Sequence, residues 1–179
     1  MKNTLKQMTM ALLVAGASLL PMHAAVPSTL SAEERMNHSI RKELLTMPFI
    51  TIFDNLSYRV DGDTIHLYGQ VIRPTLKSQA AARVAKLEGI AHVDNQIEVL
   101  PLSPYDDRLR IRVARAVYGQ PSMNRYALSP NPSIRIVVKN GNVTLEGVVN
   151  DTFSRNIANI QANGVSGVFS VTNNLRVEK

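Results

Sequence analysis

Apolar residues along this chain recur with two alternating periods, and the alternation repeats. Met36, Ile40 and Leu44 stand four residues apart behind Ser31-Ala-Glu-Glu34, a capping box that satisfies orphan amides at a helix start. Leu109, Val113, Ala116 and Val117 form a second stripe behind Ser103-Pro104-Tyr-Asp106, where proline suits the first turn and the aspartates suit the positive end of the helix dipole. Period two follows each stripe. Ile134 to Val138 and Val143 to Val149 flank Lys139-Asn-Gly-Asn142, a strong hairpin signal because both turn residues tolerate positive φ. In the corresponding place, Asp61-Gly-Asp63 precedes Ile65, Leu67 and Val71, with Gly69 among them. Leu76 to Leu87 and Phe153 to Ala162 predict second helices, ended near Gly89 and Gly164, and Val93 to Leu100 and Val168 to Val177 predict final strands. The order is α-β-β-α-β, twice. The pattern predicts an α+β fold of two tandem modules, each a small three-stranded mixed sheet with two helices packed on one face. A right-handed crossover then makes the last two strands parallel.

The two halves align without gaps at an offset of 78 from Tyr58 to Val99. The identities include Leu67 with Leu145, Gly69 with Gly147, Gly89 with Gly167, Val93 with Val171 and Asn95 with Asn173. Upstream the offset falls to 73, pairing Ile40 with Val113 and Leu44 with Val117, so the second copy carries five extra residues near Ser129 to Ser133. That proline-rich insertion is expected in a surface loop. Gly69 and Gly147 are read as ending or bending a strand, and Gly89 and Gly167 as permitting the turn into the last strand. The expected domains are residues 31–100 and 104–178, behind a signal peptide at 1–25.

Val143-x-Leu145-x-Gly147-x-Val149 followed by Gly167-Val168-x-x-Val171-x-Asn173 resembles the BON domain. The first copy matches it with Ile65, Leu67, Gly69 and Val71, then Gly89, Ile90, Val93 and Asn95. The resemblance spans about residues 31 to 178. It implies a binding module of the bacterial envelope, associated with osmotic stress and with attachment to phospholipid membranes, rather than a catalyst. Members anchored as lipoproteins carry a lipidated cysteine, which this chain lacks.

Composition narrows the chemistry. There are no cysteines and no tryptophans, so a disulfide framework, a thiolate metal site and a thiol nucleophile are excluded. Lys2 and Lys6, the apolar run from Met8 to Leu20 and the small residues Ala24 and Ala25 have the parts of a secretory signal, with cleavage expected near Ala24 or Ala25 and a periplasmic destination. Left unprocessed, the same segment would tether the chain to the inner membrane. No catalytic residue, metal site or cofactor is expected. Asp61-Gly-Asp63 does not continue into a calcium loop, and His38, His66 and His92 lack ligand spacing. Neither a phosphate-binding glycine loop nor a Gly-x-Ser-x-Gly element occurs; Gly164-Val-Ser166-Gly167 lacks the second spacer.

Charge separates the copies. Residues 31–100 hold 8 lysines and arginines against 9 carboxylates, a net of −1, whereas residues 101–179 hold 10 against 5, a net of +5. Coulomb attraction alone would accept anionic lipid, lipopolysaccharide, an acidic protein or nucleic acid, and export argues against the last. A solvated basic face is the plain alternative. At 100° per residue Arg108, Arg112 and Arg115 fall within about 60° of one another, with Ile111 beside them. These four are the candidate lipid-binding residues. The expectation is a non-catalytic periplasmic protein that binds anionic phospholipid membrane surfaces and supports envelope integrity or osmotic-stress protection. The alternative is a scaffold for an envelope protein or a cell-wall component.

Overall fold

A computed structural model describes residues 31–129 and 131–178; the export signal read at residues 1–25, with its cleavage near Ala24 or Ala25, lies outside the described residues. Helix α1 (Ala32–Leu45) opens on the reciprocal cap: Ser31 Oγ accepts the Glu34 N–H at 3.1 Å, and the Glu34 carboxylate accepts the Ser31 N–H at 2.8 Å. Ile40 and Leu44 are buried, while Met36 packs half-buried at the core's margin. Strands β1 (Asn55–Asp61) and β2 (Thr64–Val71) pair antiparallel across the Gly62-Asp63 turn, and α2 (Pro74–Val84) crosses back. Strands β3 (His92–Asn95) and β4 (Glu98–Val99) then run parallel to β2, one after the other along it. The last strand of this copy is therefore interrupted at Gln96–Ile97 rather than continuous from Val93 to Leu100. Asn95 accompanies the break: its Nδ2 donates to the Lys77 carbonyl at 2.8 Å, and its Oδ1 accepts the Ile97 N–H at 3.2 Å.

The second module repeats this order with α3 (Pro104–Tyr118), a short α4 (Asn124–Ala127), β5 (Ile134–Lys139), β6 (Asn142–Val149), α5 (Thr152–Asn163) and β7 (Ser170–Val177). Its sheet runs β5-β6-β7, with β6 and β7 parallel. Both modules are thus α+β with mixed sheets. Asn173 repeats the tie of Asn95, donating to the Arg155 carbonyl at 3.0 Å and accepting the Leu175 N–H at 3.2 Å. In each copy this asparagine fastens the last strand to the second helix. A short helical segment precedes the extra residues near Ser129 to Ser133. Pro121–Met123 form a 3-10 turn that runs into α4 and buries Met123 and Tyr126 before the segment through Ser129 to Ser133.

Gly69 and Gly147 lie within β2 and β6 rather than at their ends, with φ of 112° and 123°. A Cβ on Gly147 would stand 1.8 Å from the Ser133 carbonyl oxygen, so the neighbouring backbone occupies the space a side chain would need.

The modules meet through residues 51–54. The Ile136 N–H donates to the Ile52 carbonyl at 2.8 Å, Arg135 Nη1 donates to the Thr51 carbonyl at 2.9 Å, and Phe53 packs against the second module's core. Asp54 fixes this segment: fully buried, its carboxylate accepts the Thr51 N–H, the Thr51 hydroxyl and the Ile72 N–H at 2.7–2.9 Å. Buried carboxylates persist only when so bonded. The expected stripe of α3 is corrected at one position. Ala114 and Ala116 are both partly exposed, and of the two it is Ala114 that packs against the core.

Candidate functional site

Helix α3 starts where Ser103 Oγ accepts the Asp106 N–H at 3.2 Å and Pro104 occupies the first turn. One face buries Leu109, Val113 and Val117 together with two charged side chains, Asp106 and Arg110. The Asp106 carboxylate accepts the N–H groups of Asn140 and Gly141, each at 2.9 Å, and so holds the hairpin turn rather than the helix end. Arg110 Nη2 donates to the Val138 carbonyl at 2.8 Å, and its Nη1 pairs with Asp107. Further along the helix, the Tyr118 hydroxyl donates to the Ile134 carbonyl at 2.6 Å, and burial pushes its phenol up to about 12. These polar contacts orient α3 about its own axis.

That orientation turns Arg108, Ile111, Arg112 and Arg115 outward, and all four are exposed, Ile111 by 48%. Among the described residues, none of the three arginines forms an ion pair. Their surroundings differ. Arg112 Nη2 lies over Gly167, beside the Tyr105 hydroxyl that donates to the Gly167 carbonyl at 2.5 Å. Ile111 and Arg115 border an apolar groove of about 530 Å3 whose walls include Ile52, Phe53, Ala114 and Tyr118, so the first module completes it. A larger polar cleft of about 760 Å3 opens between the modules on another side; Arg41, Tyr68, Gln70, Arg135 and Asn174 are among its walls. Burial lowers the Arg135 guanidinium from its ordinary value.

Gly89 and Gly167 precede the last strands with φ of 86° and 92°. The sequence reading missed Phe153 and Ile160 on α5, which are 61% and 59% exposed, and Phe169, which is 74% exposed. Their signal was available as two apolar residues seven apart on the polar side of a helix. The histidines do not converge: His66 Nδ1 meets Asp94 at 2.9 Å, and that contact, with the Gln96 amide, holds the Asp94 carboxyl below its usual range. Among the described residues there is no cluster of three or more metal-ligating side chains, and no helix is long and apolar enough to cross a membrane.

The family model described as BON domain matches residues 37–101 and 120–179. No curated protein matches the chain significantly. Two solved structures of CdsD, a structural protein of the type III secretion system of Chlamydia trachomatis, align at 15% identity with a TM-score of 0.29. The first, of its C-terminal domain, covers 79% of this chain and 96% of its own, and the second covers 81% and 94%.

Proposed function

Because the chain belongs to the BON domain family, whose members are associated in general with membrane and phospholipid binding, we propose that it is a non-catalytic envelope protein that docks its second module on anionic phospholipid surfaces. The observation that carries this reading is the outward face of α3, with three arginines free of ion pairs among the described residues and an exposed Ile111 beside them. Near an anionic leaflet each such cation contributes on the order of 1 kcal/mol, so three give on the order of 3 kcal/mol, or roughly 100-fold in partition. Binding of that strength is reversible and weakens as salt screens it. The periplasmic location rests on the signal-like residues 1–25, and the role in envelope integrity under osmotic stress rests on the family's associations.

Vesicle sedimentation tests the reading. The native chain is expected to sediment with vesicles containing phosphatidylglycerol, less so in high salt, and not with purely zwitterionic vesicles. The triple variant Arg108→Gln, Arg112→Gln, Arg115→Gln is expected to stay in the supernatant with an unchanged circular dichroism spectrum. Retained binding by the triple variant, or equal binding of the native chain to zwitterionic vesicles, would overturn the reading. The polar cleft between the modules favours the second reading, a scaffold for an envelope protein or cell-wall component. In that case Arg135→Gln or Tyr68→Ala, and not the α3 variant, would abolish attachment to isolated envelopes.

A further inference from the structure

The duplication supplies an internal control for the exposed apolar residues of the second module. At the offsets that align the copies, Ile111 corresponds to His38, Phe153 to Thr75, Ile160 to Ala82 and Phe169 to Ala91. All eight positions are exposed. The fold therefore does not require a large apolar side chain at any of them, yet the second copy carries one at each. Single exposed apolar residues need no explanation, but a cluster on one surface marks an interaction site.

Helix geometry places two of these residues beside the arginines. Phe153 and Ile160 are seven residues apart and so within about 20° of each other, roughly 150° from the buried side of α5 that Ser154, Ala158 and Ala162 define. Arg108, Arg112 and Arg115 stand at a similar angle from the buried side of α3. The two helices run antiparallel. Tyr105 in the first turn of α3 reaches Gly167 beyond the end of α5, and Arg125, after α3, pairs with Asp151 at the start of α5 at 3.0 Å. Both pack on the core of one sheet, so their outward stripes lie side by side, cations on α3 and large apolar side chains on α5. Helix α5 carries no acidic residue, and its other polar positions include Asn156, Asn159 and Asn163.

We propose that Phe153 and Ile160 are membrane anchors that enter between lipid headgroups while the α3 arginines engage the phosphates, so that α3 and α5 lie together in the interfacial plane. This deepens the docking reading given above and rests on it. A basic face flanked by an apolar stripe of this kind is the composition that interfacial binding uses. The partner is a bilayer containing anionic phospholipid.

The absence of tryptophan from the sequence permits single-tryptophan reporters. Phe153→Trp and Ile160→Trp, made one at a time, are compared with Thr75→Trp in the first copy, using vesicles of phosphatidylglycerol and phosphatidylcholine with brominated acyl chains. Emission from both α5 reporters is expected to shift to shorter wavelength and to be quenched by the brominated chains, whereas Thr75→Trp is unaffected. Sedimentation of the same samples separates the outcomes. Bound protein whose α5 reporters are unquenched, or quenched no more than Thr75→Trp, overturns this inference and points the apolar stripe toward a protein partner. Failure of the native chain to sediment overturns the docking reading and this inference together. The double variant Phe153→Ser, Ile160→Ser is expected to bind about ten-fold more weakly and to lose the part of binding that survives high salt. Unchanged partition of that variant also overturns the inference.

Discussion

Gly147→Ala is expected to destabilise the protein by about 3–6 kcal/mol, from three separable contributions. A non-glycine residue held at φ of 123° costs about 1–3 kcal/mol. The added Cβ would stand 1.8 Å from the Ser133 carbonyl oxygen, and real Cβ atoms are essentially never found under 3.0 Å from a neighbour, so the entry to β5 must move by about 1.2 Å. That movement acts on Ile134, which is fully buried and whose carbonyl accepts the Tyr118 hydroxyl at 2.6 Å. Losing the hydrogen bond costs about 1 kcal/mol, and loosening Ile134 in the core costs about 1–2 kcal/mol more. Gly62→Ala provides the matched control, because Gly62 also has positive φ, 61°, but an added Cβ there would meet nothing within 4 Å. It should lose only about 1 kcal/mol. Urea unfolding followed by circular dichroism measures both. If Gly147→Ala falls within about 1 kcal/mol of Gly62→Ala, the close approach of the Ser133 carbonyl does not govern this position.

Alkali should destabilise the protein through Tyr118, whose pKa burial raises from 10 to about 12. The unfolded chain loses this proton first, so the contribution is complete below pH 10 and is lost as pH rises toward 12. The loss is on the order of 2 kcal/mol and absent from Tyr118→Phe; identical stability curves for the two proteins in this window would refute it. Phe53→Ala should cost about 2 kcal/mol, less than a fully buried phenylalanine because Phe53 is only partly enclosed, and should speed hydrogen exchange at the Ile136 amide that donates to Ile52. An Ile136 amide that exchanges at its native rate in the variant would mean that Phe53 does not hold the modules together.

Local rules were legible in the sequence where the physics is local. The Ser31–Glu34 cap, the Asn140-Gly141 turn and the repeat of α-β-β-α-β depend on neighbours a few residues away, and each is present in the structure. Helical period also turned Arg108, Arg112 and Arg115 to one face. It assigned Ala116 rather than Ala114 to the core because a helix wheel carries no information from outside its own helix, whereas Ala114 packs against a core to which the first module adds Phe53. Asp106 and Arg110 were hidden because their partners are distant in sequence. One turn apart on the buried side of α3, they are explained only by the backbone of a hairpin some thirty residues later. Phe153 was read as a helix start, and its outward aim follows from where Ser154, Ala158 and Ala162 find their sheet.

The outer side of β5 bears on solubility. Ile134, Ile136, Val137 and Val138 are a short apolar, β-prone segment on the margin of its sheet, the kind of exposed backbone on which another chain can add a strand. Here three of the outward-facing groups are already occupied: Tyr118 bonds the Ile134 carbonyl, Ile52 receives the Ile136 amide and Arg110 bonds the Val138 carbonyl. Two of these guards belong to the second module, but the middle one is borrowed from the first. The copies are therefore unequal partners. A second module produced without residues 51–54 would keep the two outer guards but free the Ile136 amide between them, and self-association through that amide is the expected consequence of dividing this chain.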